Sequence, residues 1–194
     1  MKIEEKIKNK YLYSNHFNFF KFIYFLYQFF KTKKILKKRI FYSNWGLDML
    51  ADHFFKKKKN GVYIDVGCHH PFLNNNTYRL YKRGWTGINI DLDFNTIDMF
   101  NFFRNKDTNI LSAVSDKEEM RDLFFFHNGS AVNTLSSANG SKSKELKKIK
   151  TRSLNSIIED SCFNNKKIDL ISIDVEGFEM NVLNGFDVNK YMPD

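Results

Sequence analysis

Tyr63-Ile64-Asp65-Val66-Gly67-Cys68-His69-His70-Pro71 opens the regular part of this chain, and Ile171-Ser172-Ile173-Asp174-Val175-Glu176-Gly177-Phe178-Glu179 lies near its far end. Each is an apolar run that ends in a carboxylate and a glycine. A buried parallel strand delivers an acid and bare backbone to a ligand crevice at its carboxyl end in this way. Together the two stretches predict an α/β fold.

The sequence between them alternates. Residues 62–66 read as a first strand; Leu73, Thr77, Leu80 and Tyr81 share one face of a helix that Gly84 ends; residues 87–91 read as a second strand. Ile97, Met99, Phe100 and Phe103 suggest a second helix, and residues 109–114 a third strand running into Ser115-Asp116. Residues 121–127 alternate weakly, as a strand of a peripheral hairpin would, and the polar tract 128–144 reads as a mobile surface loop. Residues 149–152 read as a short strand, 154–159 as a helix and 168–174 as the fourth core strand. Short links between alternating elements imply a mostly parallel sheet with flanking helices and right-handed crossovers. Ligands of such sheets sit outside the carboxyl ends of the strands, where Asp65, Gly67, Asp91, Ser115, Asp116, Asp174 and Glu176 are expected to gather.

The 194 residues, 42% of them hydrophobic, suffice for one sizeable core. The formal charge of +9 is unevenly placed: residues 1–60 hold fifteen Lys/Arg against four Asp/Glu, and residues 61–194 hold sixteen against eighteen. The chain thus divides into a basic, aromatic-rich helical extension, 1–60, and a slightly acidic α/β domain, 61–194. In the extension, the fourteen-residue run 17–30 is interrupted by Asn18, Lys21 and Gln28, too short and too polar for a spanning helix. With the basic cluster at 31–39 it is a candidate interfacial helix on anionic lipid, or else a helix packed on the catalytic domain with solvated lysines. Two unlike cysteines, Cys68 and Cys162, offer no disulfide framework, which fits a cytoplasmic protein, peripheral to the inner membrane surface if the extension binds lipid. Cys68-His69-His70 lacks the partner spacing of a zinc site, so no metal is expected.

What the glycine turn omits narrows the ligand. G-x-G-x-x-G is needed to cradle a pyrophosphate, and this turn supplies only Gly67 before Cys68-His69-His70-Pro71, which disfavours a dinucleotide oxidoreductase. One glycine beside a carboxylate suits a ligand with an amino acid end. Asp91 follows Asp65 by 26 residues, near the spacing at which a second-strand acid takes a ribose diol. S-adenosylmethionine carries both features.

Asp65 to Pro71, Thr77, Tyr81, Gly84-Trp85, Gly87-Ile88-Asn89-Ile90-Asp91, the run 104–109, Ala113-Val114-Ser115-Asp116, Ile168-Asp169, Ile173-Asp174-Val175-Glu176-Gly177 and Val182-Leu183, taken in order, resemble the FkbM-type methyltransferases. The resemblance implies a Rossmann-like class I methyltransferase that uses S-adenosylmethionine to O-methylate a hydroxyl of a sugar or small-molecule acceptor, with a setting in surface glycan biosynthesis suspected. It places Asp65 and Gly67 at the methionine end of the cofactor, Asp91 on the ribose, Ser115 and Asp116 near the adenine, and Asp174 and Glu176 at the transferred methyl and acceptor. Cys68 and His69 stand where the family more often has Ala and Asn. For the acceptor's proton, Asp174 and Glu176 are candidate bases and His70 a competing one, with turn capping as the alternative role for His70. Glu179 reads as charge in the first turn of the next helix.

The family continues past the position of Asp194 into further strands, so the sheet is expected to be incomplete at its carboxyl-terminal edge, with a second subunit as candidate cover. A catalytically impaired binding module is therefore the rival reading. An RNA methyltransferase with residues 1–60 as a phosphate-binding arm is the other; the acidity of the domain speaks against a nucleic-acid partner.

Overall fold

The computed structural model describes residues 6–8, 17–127, 130–191 and 193. They form two compact units, Met1–Tyr42 and Ser43–Asp194. In the first, helix α1 (Phe17–Leu36) ends on Lys33 and Lys34 and leaves Phe19, Phe22 and Phe30 exposed. Among the described residues no helix is long and apolar enough to cross a membrane.

The second unit runs α2 (Leu47–Phe54), β1 (Val62–Val66), α3 (Tyr78–Lys82), β2 (Thr86–Asp91), α4 (Phe94–Phe103), β3 (Thr108–Leu111), β4 (Ala113–Ser115), β5 (Met120–Phe125), α5 (Ser137–Gly140), β6 (Glu145–Ser153), α6 (Leu154–Glu159), β7 (Leu170–Ile173), α7 (Glu179–Asn184) and α8 (Val188–Tyr191). Strands β3-β2-β1-β7 form one parallel sheet, flanked by helices in the Rossmann-like manner. Strands β4-β6-β5 form a smaller mixed sheet. Helix α2 belongs to this unit although the charge pattern groups it with the extension. Its acids explain why: Asp48 accepts from Arg79 Nε at 2.9 Å, and Asp52 from Arg83 at 2.6 Å, while Arg83 also donates to the carbonyls of Phe55 and Lys58.

Period-two alternation assigns the two faces of β1. Ile64 and Val66 point one way, into an apolar layer with Ile88, Ile90, Leu154, Ile157, Ile158 and Val182. Tyr63 and Asp65 point the other way. Tyr63 packs with Phe55, Leu80 and Trp85, and its hydroxyl meets a fully buried arginine that also bonds Asn75 and Thr77, the partners of Asp65. Arg104 follows α4, where its guanidinium donates to Asp107 (2.9 Å), Asn75 (3.1 Å), Thr77 (3.1 Å) and the Tyr63 hydroxyl. One layer of the domain is thus hydrocarbon and the other is partly a satisfied polar network.

Three sequence expectations are corrected. The third strand, expected over 109–114, is two: β3 stays in the main sheet, Ser112 N–H donates to Asp91 C=O (2.9 Å), and β4 departs to pair with β6. The first helix is confined to Tyr78–Lys82, because side-chain bonds hold the preceding residues in a turn. The polar tract is no loose loop where it is described: Thr134 bridges to Phe124, residues 137–140 form α5, and β6 begins at Glu145. Asn128 and Gly129 of that tract lie outside the described residues.

β7 is bounded on one side by β1, and among the described residues no strand pairs with its other side. A groove of about 480 Å³ runs beside it, walled by Leu50 and Phe54 of α2 and by Ile171 and Ile173.

Candidate active site

At the carboxyl ends of β1, β2 and β7 lies a small cavity of about 60 Å³. Gly67 and His69 reach it from the turn after β1, Asp91 and Leu92 from β2, residues 112–114 from the β3–β4 break, and Asp174 and Val175 from β7. Phe178 and residues 130, 131 and 133–135 close it from above.

Gly67 is required by geometry. Its φ is +78°, and a Cβ there would stand 2.0 Å from the carbonyl oxygen of Asp174. The amides of Gly67 and Cys68 both donate to Ile90 C=O (2.9 and 3.2 Å), and Asp174 N–H donates to Val66 C=O (2.9 Å). Three strand ends are thereby sewn together with only bare backbone between them. The Asp91 carboxylate adds a further stitch, accepting from His69 N–H (3.0 Å) and Asp93 N–H (2.9 Å). Burial pushes Asp91 up to about 6 against the pull of those two amides.

Asp174 lies at the cavity, and burial, then Glu179, raises its carboxyl above the usual range while His69 opposes the shift. Gly67, Asp91 and Asp174 are therefore brought together as expected from the strand ends.

The other candidates are placed elsewhere. Asp65 is 2% exposed and faces the polar layer, where Oδ2 accepts from Thr77 Oγ1 (2.8 Å) and Asn75 Nδ2 (3.1 Å). Asn75 also donates to Cys68 C=O (3.1 Å), so Asp65 acts on the glycine turn from behind. Ser115 is buried and donates to Asp116 (2.7 Å), which pairs with Arg121 (3.0 Å); neither lines the cavity. His70 Nδ1 accepts from the amides of Phe72 and Leu73 (both 3.2 Å) and so caps the turn, and His70 does not line the cavity. Glu176 is left-handed (φ 56°), and its carbonyl accepts from Thr134 Oγ1 (2.9 Å) and Asn139 Nδ2 (2.6 Å), anchoring the roof of the cavity. Glu179 Oε1 accepts from the amides of Val175 and Gly177 (both 3.1 Å), clamping the turn before α7. Burial opposes ionisation of Glu179, but these amides win and hold its carboxyl below the usual range.

Residues 130, 131 and 133–135 and His69 are cavity components that the sequence does not announce. The roof carries no motif, and within the cysteine-histidine run it is His69, not His70, that lines the cavity. Among the described residues no group of three or more His, Cys, Asp or Glu is placed to hold a metal ion.

A parallel sheet flanked by helices, with a glycine turn and an acid at the tips of its adjacent first two strands, is the architecture of a Rossmann-like methyltransferase. Residues 65–193 match the model of the methyltransferase FkbM domain, and the chain belongs to that family of methyltransferases. Comparison with curated proteins gave no match, and neither did comparison with solved structures.

Proposed function

We propose that the protein uses S-adenosylmethionine to O-methylate a hydroxyl of a sugar or other small-molecule acceptor, with surface glycan biosynthesis as the setting. The observation that carries this reading is that Gly67, Asp91 and Asp174, from three adjacent strand ends, line one cavity. The residues fit the cofactor: Gly67 leaves room for a methionine end to approach the backbone, Asp91 accepts from a ribose diol, and Ile90, Ala113 and Val114 offer apolar walls to an adenine. In this reading the adenine end falls to residues 112–114, not to Ser115 and Asp116. When bound, the cofactor supplies a methyl group already activated on a sulfonium.

The chain's own task is then mostly alignment and exclusion of water. Gly67 and Asp91 fix the donor, and Asp174 holds the acceptor hydroxyl. The roof contributes dryness: residues 130, 131 and 133–135 stand over the cavity, where they would cover a bound cofactor and keep water from the reacting atoms. Residues 17–39 bring the protein to the anionic inner surface of a membrane in the cytoplasm, a role supported by the exposed Phe19, Phe22 and Phe30 and the basic end of α1.

Isothermal titration with S-adenosylhomocysteine tests the reading. Micromolar binding that Asp91→Ala weakens at least tenfold supports it. Absence of heat with the intact protein favours a binding module without turnover.

A further inference from the structure

His69 is the cavity residue without a task. Its peptide is held at both ends, by N–H donation to Asp91 Oδ2 (3.0 Å) and by C=O acceptance from Thr96 Oγ1 (3.1 Å), in a left-handed conformation (φ 53°). That conformation is unfavourable for a residue with a Cβ and persists where the surroundings over-determine it, often at functional sites. Here it leaves His69 in the wall of the cavity that Asp174 also lines. Among the described residues the imidazole makes no hydrogen bond. His70, by contrast, spends Nδ1 on two backbone amides.

We propose that His69 is the general base of the methyl transfer, taking the proton of the acceptor hydroxyl at an imidazole nitrogen while Asp174 stabilises the imidazolium that results. The inference rests on the methyltransferase reading above. As the acceptor oxygen bonds to the methyl carbon, the bond from that carbon to sulfur breaks and its electron pair stays on sulfur, leaving a neutral thioether. The hydroxyl proton passes to His69 and is released to water when the methylated product departs. No other co-reactant is needed.

Electrostatics agrees with the geometry. Two carboxylates act on the ring: Asp174 at the end of β7 and Asp93 at the N-cap of α4. Asp91 meets only its backbone. Burial holds the imidazole below its ordinary range, while Asp174 and Asp93 pull it upward, so it is neutral near pH 7 and able to accept a proton.

The test follows the titration of the His69 ring by NMR in protein labelled with ¹³C-histidine, assigned by the resonance that His69→Asn removes. Asn tolerates a left-handed backbone, so this variant removes the imidazole without adding strain. The titration is run on the free protein and on its complexes with S-adenosylhomocysteine and S-adenosylmethionine, after titration calorimetry has shown saturation. If the ring faces the reacting sulfur, the sulfonium complex titrates lower than the thioether complex by about one pKa unit or more, as a unit positive charge a few ångströms away demands. In Asp174→Asn the ring of the free protein titrates below its wild-type value. Equal titration in the two complexes overturns the assignment while leaving the cofactor reading intact. If neither ligand binds, both fall together.

Discussion

The carboxylate of Asp91 accepts two backbone amides and still titrates near 6, because burial outweighs them. Its ordinary value is about 3.9, so the native state binds this proton more tightly than the unfolded chain does. The stability it contributes is complete below about pH 4 and is lost as pH rises through 6. Asp91→Asn, which keeps the shape and cannot ionise, is therefore expected to gain stability over the wild type between pH 4 and 7, read from urea midpoints. A gap that does not widen with pH defeats the assignment. Ligand binding has the opposite dependence: a ribose diol donates to the ionised form, so affinity for S-adenosylhomocysteine rises with pH through about 6 in the wild type and stays flat in Asp91→Asn. At Gly67, substitution by Ala places a methyl against the Asp174 carbonyl in a backbone region that L-residues avoid. The expected cost is about 2 kcal/mol or more, seen as a lowered thermal midpoint with loss of S-adenosylhomocysteine binding. Gly67, Asp91 and Asp174 were legible because each ends an apolar run. Asp65 lies inside β1, so alternation sends it to the face of Tyr63 rather than to the strand tip.

Among the elements, the turn from β1 to α3 is the one whose shape depends on buried polarity. Asp65, Asn75, Thr77 and Arg104 form a chain of hydrogen bonds that ends on the Cys68 carbonyl, in the peptide that joins Cys68 to the cavity residue His69. Removing the cation leaves the buried carboxylates of Asp107 and Asp65 without their counter-charge. Arg104→Met is expected to destabilise the domain by about 3 kcal/mol or more, measured by chemical denaturation, since one partner of a buried charge network is left uncompensated. A change below 1 kcal/mol, roughly a surface-pair effect, shows that the network is not what holds the turn. Arg104 and Asp107 sit in an ordinary-looking polar run, and only the folded chain reveals that both are fully buried. The division of residues 109–114 was hidden for a similar reason: Ile110, Leu111, Ala113 and Val114 read as one apolar strand, and nothing in the side chain of Ser112 marks the residue at which pairing passes from β2, through its N–H on the Asp91 carbonyl, to β6. The roof escaped because its anchors are backbone carbonyls, which no sequence pattern displays. Thr134 and Asn139 converge on the Glu176 carbonyl from a tract whose composition suggests a loop.

At the scale of the whole molecule, the Ser43–Asp194 unit presents a boundary that other sheets avoid. β7 offers a row of peptide groups with no strand beside them among the described residues, and α2 lays exposed Leu47, Leu50 and Phe54 along the same side. Unpaired edge backbone next to an apolar groove is a template for association, and charge on the edge is the usual defence. Lys58 is paired with Asp169, and the residues that line the groove, Leu50, Phe54, Ile171 and Ile173 among them, carry no charge. The protein is therefore expected to self-associate as its concentration rises, giving a sedimentation coefficient that climbs through the micromolar range. Replacing Leu50 and Phe54 together by Lys puts two charges on the groove without touching the cavity, so the variant stays monomeric over the same range and binds S-adenosylhomocysteine with unchanged affinity. If the wild-type sedimentation coefficient is independent of concentration, the exposed edge is already protected within the chain and the groove has no part in association.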